Sequence, residues 1–332
     1  MAKKIYPEIE LTIDSIGFEG VSIARHDGKV HFIQGGIPGD RVLCSIHKNK
    51  SKYAEGTIKQ VLIPGQGRIQ PACSHFGVCG GCKWQHLVYE EQLHWKKSHV
   101  VDCFERIAKI PFDHVYDTMP SAKVYHYRNK MEFSFGASRW LTADEMGNES
   151  LNTSFAVGLH VPGRFDKVLD VDTCHIADLR NQVLLSSIRD KADELSITAH
   201  HAREHHGFLR NIIMRTNREA TQLMIVLITS PISQEQEYDF IEWYKHELPT
   251  ILPNITSHVW AVTESKSGVA FGEIQWSNGS TTIKEIIHDV EFTISPFSFF
   301  QTNAVQLDPF IAAIIQTADI KRDDIVWDLY CG

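Results

Sequence analysis

Alternation of apolar and polar positions dominates the first sixty residues of the chain. The segments "IELTIDSIG", "VSIARHDGKVHFI", "DRVLCSIHK" and "EGTIKQVLI" place apolar side chains at about every second position, which is the period of a half-buried β-strand. The pair Asp27-Gly28 divides "VSIARHDGKVHFI" into two alternating runs and predicts a tight hairpin turn between them. Four or five short strands with this spacing predict an OB-like β-barrel over residues 1–62.

A helical spacing of apolar residues follows the predicted barrel. Between residues 86 and 110, Leu93, Val100, Phe104 and Ile107 are separated by seven, four and three positions, so the pattern predicts an amphipathic helix that stops at Pro111. Strand alternation then returns at 124–135, 155–161, 209–216 and 221–229, and helices are predicted at 232–248 and 305–318. This mixture predicts a mixed α/β central domain over residues 63–290.

The last residues, "DIVWDLYCG", predict an apolar strand that ends in a glycine turn. A strand of this kind needs partner strands and a covering helix. We therefore expect residues 291–332 to begin a Rossmann-like domain that is incomplete, in the front part of a longer protein. The predicted fold class is α+β multidomain.

Composition restricts the location and the partners. The chain of 332 residues is 43% hydrophobic and has no run long enough for a transmembrane helix and no signal-peptide pattern, so we expect a cytoplasmic protein with no membrane partner. Its net charge of −8 is uneven, because residues 1–135 carry 18 Lys and Arg against 14 Asp and Glu. Within this basic part, strand residues Lys48, Lys50, Lys52, Tyr53 and Lys59 are suited to phosphate contacts and base stacking, although a solvated strand face has the same composition.

Three of the seven cysteines, Cys73, Cys79 and Cys82, form C-x5-C-x2-C around Gly80-Gly81. In a reducing compartment such a cluster indicates metal rather than disulfides, and glycines let the loop turn tightly and point N–H groups at sulfur. An iron–sulfur cluster, zinc or no metal all remain open from the spacing. The fourth ligand is open too, with these candidates: Cys44, Cys103, Cys174, Cys331, His75 and His86.

Longer stretches carry a resemblance to a known family. The run "RIQPACSHFGVCGGCKWQHLVYEEQLHWKK" resembles the cluster-binding segment of bacterial RNA uracil-C5 methyltransferases with a [4Fe-4S] cluster, and residues 8–62 resemble the TRAM domain that precedes it. The blocks "YRNKMEFSFG", "GFLRNIIMR", "ISPFSFFQTNAVQ" and "VWDLYCG" are similar to family blocks in the same order. The resemblance thus extends over nearly the whole chain.

The resemblance implies a set of cofactors and site residues. Cys174 matches the fourth cluster ligand beside Cys73, Cys79 and Cys82, which makes Cys44 and Cys103 ordinary buried thiols. Gln301 and Tyr330 match residues that contact S-adenosylmethionine. The nucleophilic cysteine and the general base are expected beyond residue 332, so no catalytic residue is assigned and this chain alone is expected to be inactive. The implied substrate is RNA, 23S ribosomal RNA before transfer RNA, and the protein is expected to be a monomer.

Two further groups of residues are weighed against plainer explanations. Arg128, Lys130, Arg210 and Arg215 lie in blocks that resemble the family's RNA-facing domain, against the alternative of an exposed strand face. The tract "HHAREHHG" places His201 and His205 four residues apart, and a solvated loop is preferred there over a metal site. Rival classes are the radical methylthiotransferases, which carry TRAM at the other end of the chain, and a zinc-stabilised RNA-binding adaptor.

Overall fold

The computed structural model describes residues 6–329. The chain divides into two compact units, Met1–Pro120 and Ser121–Gly332. The predicted metal-binding cysteines Cys73, Cys79 and Cys82 therefore belong to the same unit as the N-terminal strands, whereas Cys174 belongs to the second unit. The domain limits predicted at residues 62 and 290 stay predictions.

The first unit contains a six-stranded sheet in which the strands lie in the order β1-β5-β6-β4-β3-β2. Its strands are β1 Glu8–Thr12, β2 Ser15–Ile16, β3 Ser22–His26, β4 Lys29–Gln34, β5 Arg41–Asn49 and β6 Tyr53–Ile63. The predicted hairpin turn is present, because Asp27 and Gly28 adopt φ values of 49° and 72° between β3 and β4. These left-handed conformations suit a two-residue turn that matches the twist of the flanking strands. Leu11, Ala24, Ile33 and Val42 form part of the sheet's buried core.

The predicted helix is present but is shorter than the range 86–110. Helix α1, Tyr89–Asp102, continues as one π-helical turn over Cys103–Ala108 and ends at Lys109, whose φ of 54° is left-handed. Its apolar positions Val100, Phe104 and Ile107 are exposed. Periodicity thus located the helix, but this stripe is not buried.

A buried ion pair fixes the chain as it leaves the sheet. Asp40 is fully buried and accepts hydrogen bonds from the N–H groups of Ile37 and Gly65, both at 2.8 Å, and from Arg68 Nε at 2.9 Å. Burial alone would raise the pKa of Asp40, but these hydrogen bonds lower it below its ordinary value. The segment that leads to the cysteine loop is therefore attached to the sheet through one carboxylate.

The second unit is built on an eight-stranded sheet with the order β14-β13-β12-β11-β7-β9-β10-β8. Its strands are β7 Lys130–Gly136, β8 Arg139–Trp140, β9 Ala156–Val161, β10 Arg164–Asp170, β11 Leu209–Thr216, β12 Leu223–Thr229, β13 Ser257–Val262 and β14 Glu273–Gly279. A separate hairpin pairs β15 Ile283–Ile287 with β16 Val290–Ile294. The helices are α2 Asn181–Glu194, α3 Glu235–His246, α4 Leu248–Ile251 and α5 Leu307–Ala318.

The two central strands, β11 and β12, are buried along their whole length. Met224, Val226 and Ile228 of β12 pack with Ile283 and Ile294 of the hairpin. Helix α3 contributes the fully buried Tyr244, whose hydroxyl donates to the carbonyl of Val259 at 2.8 Å. The centre of the sheet is thus held by apolar packing and by this buried hydroxyl.

Two sequence predictions differ from the structure. Residues 124–129 precede β7 and are not a strand; Arg128 makes only an isolated antiparallel bridge to Asn303. Residues 324–329 are exposed and are not a strand, because among residues 6–329 no other strand pairs with them and an unpaired apolar strand leaves its backbone groups unsatisfied. No helix in the described part of the chain is both long and apolar enough to cross a bilayer.

We predict that Arg68→Met destabilises the first unit by about 3–5 kcal/mol, because it leaves the Asp40 charge buried without its partner. The folded pKa of Asp40 lies below its ordinary value of 3.8. The stabilisation that the ionised Asp40 gives the wild-type fold is therefore present above pH 3.8 and is lost as the pH falls through the folded pKa. Hydrogen exchange of the β5 and β6 amides in urea measures the change. Arg41→Met, which removes an ion pair to Glu10 that is about half exposed on both sides, is the control and should leave the exchange rates unchanged. Equal stability of both variants would contradict the assignment.

Candidate functional site

The cysteine loop is organised by its own backbone. The N–H of Phe76 donates to the carbonyl of Cys73 at 3.2 Å, and that of Cys79 donates to the carbonyl of His75 at 2.9 Å. Gln85 Oε1 accepts the N–H of Cys73 at 3.2 Å, which ties the start of the loop to its end. As predicted, a glycine N–H points at sulfur: Gly81 donates to Cys79 Sγ at 3.4 Å. The positive φ of this loop is at Gly77, at 88°, and not at Gly80 or Gly81.

The three thiols influence one another electrostatically. Burial raises the pKa of Cys73 and of Cys79, and the nearby Cys82 raises both further. The raised pKa values favour the protonated thiols of Cys73 and Cys79, and a bound metal would stabilise their thiolates. Their sulfurs are not all within 4.8 Å of one another, since this distance is met only by His201, Glu204 and His206 among residues 6–329.

The other candidate ligands in the first unit have different environments. Cys44 is fully buried in the core of the sheet, and burial raises its pKa to about 11, as expected of a structural thiol. Cys103 is only partly buried, so the prediction of a buried thiol was wrong there, because the helical stripe beside it is exposed. His86 is buried; its Nε2 lies 3.3 Å from the carbonyl of Gly36 and its ring packs on Phe76.

Cys174 lies in the second unit, between β10 and α2, and is 7% exposed. Its N–H donates to Asn181 Oδ1 at 2.7 Å, and Asn181 Nδ2 donates back to its carbonyl at 3.2 Å. The first turn of α2 thus holds the backbone of this cysteine in a fixed position.

Gln301 belongs to a loop, residues 295–303, that is held by Asn129, which directly precedes β7, and by Arg215 of β11. Asn129 Nδ2 donates to the carbonyl of Gln301 at 3.0 Å, and the N–H of Asn129 donates to the carbonyl of Thr302 at 2.9 Å. Arg215 Nη2 donates to the carbonyl of Ser298. The Gln301 side chain is left exposed. We call this arrangement the Gln301 loop.

Four of the fourteen buried side-chain polar atoms that have no hydrogen-bond partner within residues 6–329 belong to residues at the Gln301 loop. These four are Arg128 Nε, Asn129 Oδ1, Arg215 Nε and Asn303 Oδ1, all buried. Buried polar groups are rarely left unsatisfied without a functional reason, so their convergence marks this loop as a candidate ligand site. Asn129 and Asn303 were not predicted as site residues; their only signal in the sequence is their place inside the blocks that carry the resemblance. Tyr330, the other predicted cofactor residue, lies outside the described residues.

The arginines predicted to face RNA are not on an exposed strand face. Arg215 is 2% exposed and burial lowers its pKa to about 10. Arg210 is 6% exposed and donates through Nη2 to the carbonyls of Ser265 at 2.7 Å and Ser267 at 2.8 Å. Lys130 is partly buried and forms an ion pair with Glu132. Neither arginine forms an ion pair with a carboxylate in the described part of the chain. Each donates to backbone carbonyls instead, and the charge of Glu132 also acts on Arg215.

Arg210 lines a pocket of about 380 Å³ on one face of the sheet. Other lining residues are Lys266, His200, Phe165 and Asp166. Asp166 is already paired with Arg164 and Arg203, whereas Lys266 has no ion pair among the described residues. We call this the Arg210 pocket, and its uncompensated charge is positive.

The predicted basic face of the first unit is partly neutralised by its own carboxylates. Lys48 pairs with Glu55 at 2.6 Å and lies over the ring of Tyr53 at 5.2 Å, and Lys59 pairs with Glu8. Lys50 and Lys52 have no ion pair within residues 6–329. The ring of Phe32 packs edge-on against Tyr53 and remains 37% exposed, so the aromatic part of the predicted surface is larger than the sequence indicated.

Comparisons with known proteins support one family. The model of the TRAM domain matches residues 4–59. An RNA methyltransferase of uncharacterised specificity from Chlorobaculum tepidum is 36% identical over 98% of this chain and 68% of its own length. Another from Bacteroides thetaiotaomicron is 33% identical over 95% of this chain and 69% of its own.

A solved structure shares the fold. The crystal structure of the Pyrococcus abyssi tRNA (uracil-54, C5)-methyltransferase in complex with S-adenosyl-L-homocysteine superposes with a TM-score of 0.64. The match covers 92% of this chain and 64% of that one, at 21% identity. At this identity the likeness concerns the fold.

Proposed function

This chain belongs to the RNA methyltransferase family, and we propose that it serves the methylation of C5 of a uracil in structured RNA with S-adenosylmethionine as the methyl donor. The convergence of unsatisfied polar atoms on the Gln301 loop carries this proposal. We place the target in 23S ribosomal RNA, with transfer RNA as the second candidate because the structural neighbour is a tRNA methyltransferase. We further propose a cytoplasmic monomer, where that RNA is found.

The Gln301 loop supports a cofactor site by its geometry. S-adenosylmethionine, when bound, supplies an electrophilic methyl group on a positively charged sulfur. Asn129 and Arg215 hold three backbone carbonyls of the loop, those of Ser298, Gln301 and Thr302, so the exposed Gln301 amide is presented from a fixed backbone. We propose that this amide hydrogen-bonds the cofactor and that Tyr330 contacts it as well.

Addition to C6 of uracil needs a thiolate, and burial disfavours a thiolate at three of the six described cysteines. Cys44 is buried with its pKa raised to about 11, and burial also raises the pKa of Cys73 and Cys79. A nucleophilic cysteine requires a lowered pKa and access to the base. We therefore assign no catalytic residue within residues 6–329.

The Arg210 pocket and the TRAM domain support the RNA substrate. Arg210 and Lys266 place two uncompensated positive charges at the pocket, and the ring of Phe165 is 68% exposed at its edge. A phosphate pairs with such charges, and a base stacks on an exposed ring. We propose that RNA backbone occupies the Arg210 pocket.

The cysteine loop supports an iron–sulfur cluster more than zinc. A tetrahedral zinc site with Zn–S bonds of about 2.3 Å brings its sulfurs within about 3.8 Å of one another, whereas the sulfurs of Cys73, Cys79 and Cys82 are not all within 4.8 Å of one another. We propose that these three and Cys174 hold a [4Fe-4S] cluster that braces the RNA-facing loops. The choice of Cys174 rests on the resemblance of its segment to the family.

We predict that deletion of the gene removes one 5-methyluridine from cellular RNA. We also predict that the Gln301→Ala protein binds S-adenosylmethionine about 3- to 10-fold more weakly, because it loses one hydrogen bond to the cofactor. Mass spectrometry of ribosomal and transfer RNA locates the lost methyl group, and calorimetry measures the affinity. Gln236→Ala, at a partly buried position in the first turn of α3, is the control and should bind normally. RNA that keeps every 5-methyluridine would reject the function, whereas an unchanged Gln301→Ala affinity would reject only that residue's role.

We predict that Lys266→Met weakens RNA binding and lowers the slope of log affinity against log salt by about 1, because one phosphate contact is lost. Filter binding at several salt concentrations measures both values. Lys191→Met, which removes a lysine of α2 paired with Glu194, is the control. An unchanged slope in Lys266→Met would show that RNA does not enter the Arg210 pocket.

We predict that anaerobically purified protein is brown and contains iron, and that Cys79→Ser and Cys174→Ser lose the visible absorption and bind RNA more weakly. Cys103→Ser, which changes a cysteine outside the proposed ligand set, should keep both properties. Iron analysis and absorption spectra measure the cluster. Colourless protein that contains zinc would reject the cluster, and Cys79→Ser protein with full RNA affinity would reject the bracing role.

A further inference from the structure

Residues 200–207 form a connection whose side chains alternate between two pockets. His200, Ala202 and His205 line the Arg210 pocket. His201, Glu204 and His206 line a second pocket of about 410 Å³. The sequence pattern drew attention to His201 and His205, but the structure separates these two and groups His201 with Glu204 and His206.

The grouped side chains bring three metal-binding atoms together. All three ligand atoms lie within 4.8 Å of one another. His206 Nε2 is 2.8 Å from Glu204 Oε2, and His201 Nε2 is 4.0 Å from Glu204 Oε1. The two imidazole rings are nearly parallel, with centroids 5.4 Å apart and an interplanar angle of 19°, so both rings border the same carboxylate.

The backbone of the connection is fixed independently of these side chains. The N–H of His201 donates to the carbonyl of His206 at 2.7 Å, and the N–H of His205 donates to the carbonyl of His201 at 2.8 Å. Gly207 has a φ of 100°, and a Cβ there would lie 2.1 Å from the carbonyl oxygen of Ala199. Only glycine fits this approach, and Ser230 Oγ donates to the Gly207 carbonyl at 2.8 Å. The three donors therefore need little ordering before they bind an ion.

We propose that His201, Glu204 and His206 bind a divalent transition-metal ion, with Zn²⁺ as the best match. Two imidazole nitrogens and one carboxylate oxygen suit zinc and its neighbours and do not suit Mg²⁺ or Ca²⁺, which take oxygen ligands. The side chains of Glu204 and His206 are each 64% exposed. This exposure leaves room for a water molecule in the remaining coordination position of the metal ion. A bound ion would join the two ends of the connection that also borders the Arg210 pocket.

The position of the ring proton on His201 limits the affinity of this site for a metal ion. Nδ1 of His201 accepts the N–H of Glu204 at 3.2 Å, so the ring proton of the neutral side chain is on Nε2. Binding through Nε2 moves this proton to Nδ1 and ends that hydrogen bond. The ion also replaces the contact between His206 and Glu204. The site is therefore one of moderate affinity, and it should select zinc over magnesium by ligand type.

Titration of the full chain with Zn²⁺ and Co²⁺ tests the proposal. We expect a site whose Zn²⁺ affinity falls at least tenfold in His206→Ala and in His201→Ala. In a Cys73→Ser, Cys79→Ser, Cys82→Ser background, which removes the cysteine loop as a competing site, we expect a Co²⁺ spectrum with ligand-field bands but no thiolate charge-transfer band. His205→Asn is the matched control, since it changes a neighbouring histidine at a left-handed position, φ 58°, that asparagine tolerates. Wild-type affinity in His206→Ala and His201→Ala, or a thiolate band in the Co²⁺ spectrum, would overturn the proposal. Circular dichroism confirms that the variants are folded.

Discussion

The pairing register of β7 with β11 is the constraint on which the candidate cofactor site depends. Lys130 lies opposite Arg215 and Met131 opposite Met214, and the N–H of Thr216 extends the ladder to the carbonyl of Asn129 at 2.9 Å. Because side chains alternate between the two faces, a slip of one residue would turn Arg215 away from the Ser298 carbonyl. Ile213 of β11 is buried in an apolar cluster with Met224 and Val226. Its burial opposes such a slip and thereby also fixes the Gln301 loop.

Helices, strands and turns could be predicted from the sequence where the spacing of neighbouring apolar residues determines them. The Asp27-Gly28 hairpin and strands β11 and β12 follow from spacing alone, because alternation or a continuous apolar run is a property of neighbouring residues. The arginines of β11 could not be placed this way. Their partners, the carbonyls of Ser265 and Ser298, are 55 and 83 residues further along the chain, so a basic residue on a strand looked like a surface residue until the fold supplied buried acceptors.

The candidate site shows the same division between local and long-range information. The tight cysteine spacing predicted one loop with N–H groups aimed at sulfur, and the Gly81 contact with Cys79 fulfils this. Gln301 came from family resemblance, whereas Asn129 and Asn303 became visible only as buried atoms without partners. An orphaned polar atom is a property of the folded state and has no counterpart in the sequence.

The net charge of residues 136–332 and the charges of two buried arginines in the same segment have opposite effects on a polyanion such as RNA. Residues 136–332 carry 15 Lys and Arg against 27 Asp and Glu, a balance that repels a polyanion at long range. Arg210 and Arg215 nevertheless have no carboxylate partner within residues 6–329, and both are desolvated. Because a charge acts more strongly where water is excluded, two buried guanidinium groups outweigh many solvated carboxylates at short distance. The RNA contact that we propose at the Arg210 pocket would therefore depend on the position of this one arginine and not on a general attraction between the chain and RNA.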